Sequence, residues 1–164
     1  MQKIYIILFI ASIVFTGCSK KDSAASLFNE AQSQIEKKDF SGAIKNLRTL
    51  AEGYPDHTLA PEAQYKLGDA FMAYANDFEQ AIDEYRLVVE KYRDSISAVN
   101  AQFMIGYIYA NYLNDTVSAR EEYEKFLNNF SDRADSSLIQ SVNFELQYLG
   151  KELKDIPQLK HISS

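Results

Sequence analysis

The chain has 164 residues, of which 46% are hydrophobic and 24% charged, as in a single globular domain of ordinary composition. It carries 17 lysines and arginines against 23 aspartates and glutamates, a net charge of −6. Such an acidic chain is poorly suited to binding nucleic-acid phosphates, and we expect no nucleic-acid partner. Only 6 glycines and 3 prolines are present, which favours long helices.

Residues 1–17 predict a secretory signal peptide. Lys3 gives a positive start, residues 4–15 are almost wholly apolar, and the small residues Thr16 and Gly17 follow. The apolar part has about 12 residues, whereas a helix that spans a bilayer needs about 20. We therefore expect the segment to direct export and not to anchor the chain.

The only cysteine, Cys18, comes directly after this segment. The sequence Phe-Thr-Gly-Cys at 15–18 resembles the bacterial lipobox, in which the cysteine thiol receives a diacylglycerol and the chain is cut just before it. Phe15 differs from the usual Leu, Val or Ile. The resemblance implies lipidation at Cys18, a lipidated tether at 18–24 and membrane contact through the acyl chains. An uncleaved anchor or an ordinary signal peptide is the alternative.

The next part of the chain, residues 25–152, contains an internal repeat. Three segments align without gaps, each beginning 38 residues after the one before it: 39–56, 77–94 and 115–132. The segment 60–71 aligns with 98–109 in the same way, and 25–32 is a weaker first copy that needs a one-residue shift. We predict three repeats, each a pair of helices, at about 25–56, 60–94 and 98–132.

The apolar residues of each copy recur at helical spacing. In the second helix of repeat two, Phe78, Ala81, Ile82 and Tyr85 share one face. Asp77 before this helix is a natural N-cap, and Gln80 three residues later completes a capping-box pattern. The pair Asn-Asp at 76–77 and 114–115 predicts a tight turn between the two helices.

Small residues recur at one place in each predicted helix. They are Ala31, Gly68 and Gly106 in the first helices, and Ala43, Ala81 and Ala119 in the second helices. Glycine inside a helix costs roughly 1 kcal/mol relative to alanine, so we interpret these residues as packing positions where two helices cross closely.

This pattern resembles the tetratricopeptide-repeat family, whose signature includes the small residue, the alanine and an aromatic residue four positions later. The aromatic residues here are Tyr85 and Tyr123, and Pro55 closes the first repeat. The family tryptophan is absent, and each unit is about four residues longer than the usual 34. Longer units of this kind resemble two envelope families, the lipoprotein of the outer-membrane β-barrel assembly machinery and the Tol–Pal-associated cell-division coordinator. The resemblance implies an all-α, right-handed helical-repeat solenoid.

The C-terminal part predicts a capping helix at 135–152, which would cover the last repeat, and a loose tail at 153–164. The uncharged stretch 95–114 has the length of a membrane span. Polar residues such as Asn100 and Gln102 interrupt it, and it keeps the repeat register. We therefore interpret it as a buried helix pair.

The family resemblance also implies that the first helices line a concave groove. The residues expected to face it are Phe28, Ile35, Tyr65, Met72, Phe103 and Tyr107. The alternative is that these rings pack between helices; both interpretations stay open for Tyr65 and Phe103, and core packing is favoured for Phe28. Acidic residues, Glu84 among them, are expected on exposed faces.

Catalysis finds little support in the sequence, and we expect neither an enzyme nor a cofactor. The two histidines, His57 and His161, have no second ligand at metal spacing. We expect a lipid-anchored scaffold on the periplasmic side of the bacterial outer membrane that binds other envelope proteins or peptides in the groove. The alternatives are a self-associating structural subunit and, less favoured, an envelope hydrolase.

Overall fold

The computed structural model describes residues 18–151 and residue 156, with side chains from residue 23 onward. The predicted signal peptide and most of the predicted tail lie outside the described residues. Within them the chain forms α-helices and no strand: α1 (Cys18–Glu36), α2 (Phe40–Gly53), α3 (Ala60–Ala70), α4 (Phe78–Lys91), α5 (Ile96–Asn111), α6 (Thr116–Phe130) and α7 (Ser136–Tyr148). The predicted all-α fold class is confirmed.

The helices form three consecutive pairs, α1 with α2, α3 with α4 and α5 with α6, followed by α7. Each helix packs against the next one along the chain, and α3 also packs against α5. Contacts restricted to near neighbours define a repeat solenoid, as predicted. The core is made where successive helices meet, and its largest fully buried side chains include Leu47, Tyr85 and Tyr123.

The second helix of each pair begins at an aspartate. The side chain of Asp39 accepts a hydrogen bond from the Gly42 N–H at 3.1 Å, and Asp77 accepts one from the Gln80 N–H at 3.0 Å. Asp115 caps α6 in the same way, through the Ser118 N–H. The N-cap predicted at Asp77 is therefore present, but the capping box is not: the Gln80 amide donates to a glutamate four residues later.

The turn before each cap requires a left-handed backbone. Lys38, Asn76 and Asn114, which occupy the same place in the three repeats, have φ of 62°, 53° and 53°. Asparagine tolerates this conformation better than most residues because its short side chain hydrogen-bonds locally. The Asn-Asp turns predicted from the sequence are thus where the structure places them.

The one-residue shift of the first repeat has a structural cause in the first helices. α3 continues into a π-helical turn, Phe71–Ala75, in which the Asn76 N–H donates to the Phe71 carbonyl. At the end of α5 the Leu113 N–H likewise donates to the carbonyl of Ile108, five residues back. Because these hydrogen bonds span five residues in place of four, each of the two turns contains one additional residue. The first repeat is one residue shorter: the Asp39 N–H donates to the Gln34 carbonyl five residues back, whereas the N–H of the matching Asp77 donates to Phe71, six residues back.

The two glycines of the first helices lie against buried tyrosines. A Cβ atom built on Gly68 would lie 2.7 Å from Cε1 of Tyr85, and one on Gly106 would lie 2.7 Å from Cδ1 of Tyr123. Both tyrosines have no exposed surface. The four other small residues, Ala31, Ala43, Ala81 and Ala119, are also fully buried. In repeats two and three, therefore, the tyrosine ring of the second helix fills the space left by the missing side chain.

The ends of the described region differ from the sequence-based interpretation in one respect. α1 already begins at Cys18, so the segment 18–24, expected to be a tether, is helical. This segment contains no glycine or proline that would interrupt a helix. Within residues 18–151, no helix combines the length and apolar character that a bilayer span requires. The uncharged stretch 95–114 contains α5 and the turn after it, and eight residues of α5 are buried.

We expect Gly106→Ala to lower the free energy of unfolding by about 1–3 kcal/mol, because the added methyl forces the buried Tyr123 ring to move. Gly53→Ala is the matched control. Gly53 is also helical, but a Cβ atom built on it would have nothing within 4 Å, so this change should be neutral or stabilise by up to about 1 kcal/mol. Urea unfolding followed by circular dichroism measures both. Equal midpoints for the two variants would rule out a close crossing at Gly106.

Candidate protein-binding groove

The residues predicted to face the groove fall into two classes. Five are half-buried: Ile35, Tyr65, Met72, Phe103 and Tyr107. The sixth, Phe28, is only 6% exposed and belongs to the core cluster that contains Ala31 and Leu47. Phe28 is therefore a core residue, and its assignment to the groove is corrected, because the first repeat must cover its own helix pair.

Tyr65 and Phe103 stand at the same place in successive repeats. The sequence left open whether their rings face the groove or pack between helices, and in the structure each ring does part of both. The Tyr65 ring centroid lies 5.3 Å from that of Tyr85, and the Phe103 centroid lies 6.0 Å from that of Tyr123. Each ring thus packs on the buried tyrosine of its own repeat and keeps part of its surface exposed. We call the half-buried residues Tyr65, Met72, Phe103 and Tyr107 the groove strip.

The groove strip continues toward the end of α5. The Tyr107 ring lies 6.0 Å from the Phe103 ring and 6.0 Å from the Tyr112 ring, which is 44% exposed. Ring pairs at this separation attract one another beyond the area they bury. The rings therefore support one another in the absence of a partner and would lose little side-chain freedom on binding.

A partly buried polar pair lies beneath the strip in repeat two. The Tyr85 hydroxyl donates to Oδ1 of Asp69 at 2.6 Å. Burial raises the pKa of Asp69, and the hydrogen bond from Tyr85 opposes this change. Burial, with the charge of Asp69, raises the pKa of Tyr65 to about 12. Asp69 is therefore held by a tyrosine of the core and is only partly available to a ligand.

Repeat three lacks this acceptor, because Tyr107 stands in the register position of Asp69. The hydroxyl of Tyr123 is buried and has no hydrogen-bond partner among the described residues. An acidic side chain of α7, Glu145, acts on this end of the strip. Burial raises the pKa of Glu145. Burial also raises the pKa values of Tyr107 and Tyr123, and the charge of Glu145 adds to the effect. This end of the strip thus has a negative side chain beside a tyrosine pair.

Two carboxylates that the sequence placed on exposed faces are buried, and that expectation is wrong for them. Glu84 is 3% exposed and Glu122 is 7% exposed. The Gln64 amide donates to Glu84, which also accepts from Gln80 at 3.0 Å. Each carboxylate is therefore surrounded by donors, as a buried charge requires.

An arginine from the preceding repeat contacts each buried carboxylate. Arg48 Nη2 donates to Glu84 Oε1 at 3.2 Å, and Arg86 Nη2 lies 3.8 Å from Glu122 Oε1. The Gln102 amide donates to Glu122 Oε2 at 2.8 Å. We call these residues the inter-repeat ladder: Arg48, Gln64, Glu84, Arg86, Gln102 and Glu122. The sequence does carry a signal for this ladder, because the arginine, the glutamine and the glutamate each recur at the repeat spacing.

The described residues contain no group of three or more His, Cys, Asp or Glu side chains that could hold a metal ion. His57 lies in the connector before α3, where its Nδ1 accepts a hydrogen bond from the Leu59 N–H at 3.1 Å. His161 lies outside the described residues. The arrangement of the groove strip is suited to contact with apolar side chains.

The two tyrosines provide a matched pair of variants. Tyr85→Phe should lower the free energy of unfolding by about 1–3 kcal/mol, because the half-buried carboxylate of Asp69 loses its donor. Tyr123→Phe removes a hydroxyl that has no described partner and should be close to neutral. Thermal unfolding at one pH compares the two. A loss for Tyr123→Phe as large as that for Tyr85→Phe would contradict the asymmetry between the repeats.

Comparison with known families agrees with the helix pairs. A family model described as tetratricopeptide repeat matches residues 25–57, 62–95 and 100–133, which together make up more than half of the chain. A search of curated proteins finds no match. Each matched segment begins within the first helix of a pair and extends just past the end of the second, for α1–α2, α3–α4 and α5–α6 in turn, and the chain belongs to the tetratricopeptide-repeat family.

Proposed function

We propose that this protein is a lipid-anchored scaffold of the bacterial cell envelope that binds other proteins or peptides through the groove strip. Tetratricopeptide-repeat domains typically bind protein partners, which supports the scaffold part of the proposal. The observation that carries it is the strip itself. Its rings are half-buried, and Tyr65 and Phe103 rest on buried tyrosines, so they are rigid and still accessible.

The chemistry of the strip indicates what kind of partner it suits. Aromatic side chains offer a large contact area for few frozen rotamers, and such anchors typically contribute roughly 2 kcal/mol or more each. Glu145 adds a half-buried negative charge near Tyr107. A segment with apolar side chains and a basic residue would complement both features.

The lipid anchor is supported by the sequence pattern at residues 1–18. A positive start, an apolar segment and small residues precede the only cysteine. Ser19, and not aspartate, follows Cys18, which under enteric-type sorting permits transfer to the outer membrane. We therefore propose attachment to the outer membrane, with the repeats facing the periplasm.

The process served by the scaffold is proposed from the length of the repeat. Units longer than the family's usual length resemble those of the envelope families named above, which favours a role in outer-membrane protein assembly, envelope maintenance or cell division. A self-associating structural subunit is the competing function, and the crosslinking experiment below separates the two.

Cys18→Ser should abolish acylation and leave an unprocessed or soluble chain, because serine has no thiol to form the thioether. Metabolic labelling with a radioactive fatty acid, together with membrane fractionation, measures this. Ser19→Asp is the control: it keeps the label, and in an enteric host it should move the chain to the inner membrane. Recovery of a labelled, mature-size Cys18→Ser chain from membranes would refute the anchor.

A photo-crosslinking amino acid placed at Tyr107 should capture envelope proteins in living cells, because this ring lies in the groove strip. The matched probe replaces Val117, which is 69% exposed on the second helix of repeat three, and should capture none of these proteins. Adding Tyr65→Ala to the Tyr107 probe should reduce the adducts roughly tenfold or more if this ring is an anchor. Circular dichroism verifies that the variant is folded.

Each other outcome has a defined meaning. Identical adducts from both probes would place the interface outside the groove. Adducts that contain only a second copy of this chain would support the self-associating subunit in place of the scaffold.

A further inference from the structure

The ends of the helices lie along two opposite edges of the repeat array. The short turns between the two helices of a repeat are 37–39, 76–77 and 112–115. Helices joined by such short turns run antiparallel, so the first helices all begin at the same edge. The connectors that lead to the next helix pair, or to α7, also lie there: 54–59, 92–95 and 131–135. We call this edge the connector edge and the opposite one the turn edge.

Contacts join the three connectors to one another and to the start of α1. Tyr54 of the first connector and Tyr92 of the second pack against the core cluster that contains Ala24 of α1. A guanidinium nitrogen of Arg133, in the third connector, donates to the carbonyl oxygen of Arg93 in the second at 2.8 Å. The connector edge is therefore one continuous surface that begins at α1.

α1 connects this edge to Cys18 without an interruption of the helix. Ala24 is fully buried and Phe28 is only 6% exposed, so packing fixes the helix from Ala24 onward. Cys18 precedes Ala24 by about 9 Å along the helix axis, at roughly 1.5 Å per residue. A helical connection fixes a direction as well as a distance, whereas a flexible linker fixes neither. The backbone of Cys18 therefore stands at a defined place beside the connector edge.

We propose that the connector edge faces the lipid bilayer and that the turn edge faces away from it. The proposal rests on the lipid anchor proposed above and adds the orientation in which this anchor holds the repeats. α5 has 16 residues and is about 24 Å long, so the two edges lie at different heights above the membrane. Phe103 and Tyr107 lie roughly 10 Å and 16 Å from the start of α5. The groove strip is therefore held at one height above the bilayer.

The charge of the connector edge indicates what sets this orientation. The connectors carry more acidic side chains than basic ones: Asp56, Asp94, Asp132 and Asp135 against Arg93 and Arg133. Anionic headgroups attract surfaces rich in lysine and arginine, and this edge has the opposite excess. The orientation therefore depends on the direction of α1 and not on attraction between the edge and the headgroups.

Two similarly exposed apolar residues of repeat three provide a matched pair of label sites. Ile96 begins α5 at the connector edge and is 65% exposed, whereas Val117 lies near the start of α6 at the turn edge and is 69% exposed. The variants Ile96→Cys and Val117→Cys are labelled with a fluorescent dye, since the new thiol is the only free one once Cys18 is acylated. Each acylated chain is then added to preformed vesicles whose headgroups carry a nitroxide quencher.

The dye at residue 96 should be quenched severalfold more strongly than the dye at residue 117, because quenching requires close approach to the headgroups. Vesicles of neutral and of anionic lipid should give the same ratio, since headgroup attraction does not set the orientation. A flexible Gly-Ser segment inserted between Ser19 and Lys20 interrupts α1 and should make the two dyes equally quenched. This insertion leaves Cys18 and Ser19 in place, so acylation is retained.

The proposal is overturned if the two dyes of the acylated chain are equally quenched, or if the dye at residue 117 is quenched more. It is also overturned if the difference survives the insertion, because α1 then does not set the orientation. Failure of the lipid anchor itself has a separate signature: the chain takes up no fatty-acid label at Cys18 and neither dye is quenched. If Ile96→Cys loses its helical circular dichroism, Asp94→Cys on the second connector replaces it under the same criteria.

Discussion

The space between Gly68 and the Tyr85 ring, repeated at Gly106 and Tyr123, determines how closely the two helices of a repeat approach. Any larger side chain at the glycine would separate the helices or displace a fully buried ring. The same tyrosine rings support Tyr65 and Phe103 from below. The position of the candidate binding surface therefore depends on two residues that have no side chain.

Contacts between repeats depend on a different interaction, the inter-repeat ladder. A buried carboxylate is costly unless donors surround it, and losing one partner leaves an uncompensated charge. Glu84 takes its donors from two neighbouring helices, because Arg48 lies on α2 and Gln64 on α3. The ladder therefore requires the correct neighbour, whereas apolar packing alone would accept several orientations.

The repeat register allowed much of the fold to be predicted from the sequence. Helix pairs, the Asp77 cap and the Asn-Asp turns follow from residues close together in the chain, whose effects are local. The burial of Glu84 could not be predicted in this way, because its partner Arg48 is 36 residues away. No local pattern distinguishes Glu84 from a solvated glutamate. Tyr65, Phe103 and Tyr107 lie on the first helices, as the register predicts, but how much of each ring is exposed depends on three-dimensional packing.

In the inter-repeat ladder the arginine always comes from one repeat and the carboxylate from the next. The first repeat lacks the carboxylate and the last repeat lacks the arginine. Glu124 of α6 stands in the register position of Arg48 and Arg86, and Asn46 of α2 stands in that of Glu84 and Glu122. If the first repeat of one molecule were stacked on the last repeat of another, neither the arginine nor the carboxylate would be present at the new junction. The interaction that orders the repeats within one chain thus gives no support to head-to-tail filaments.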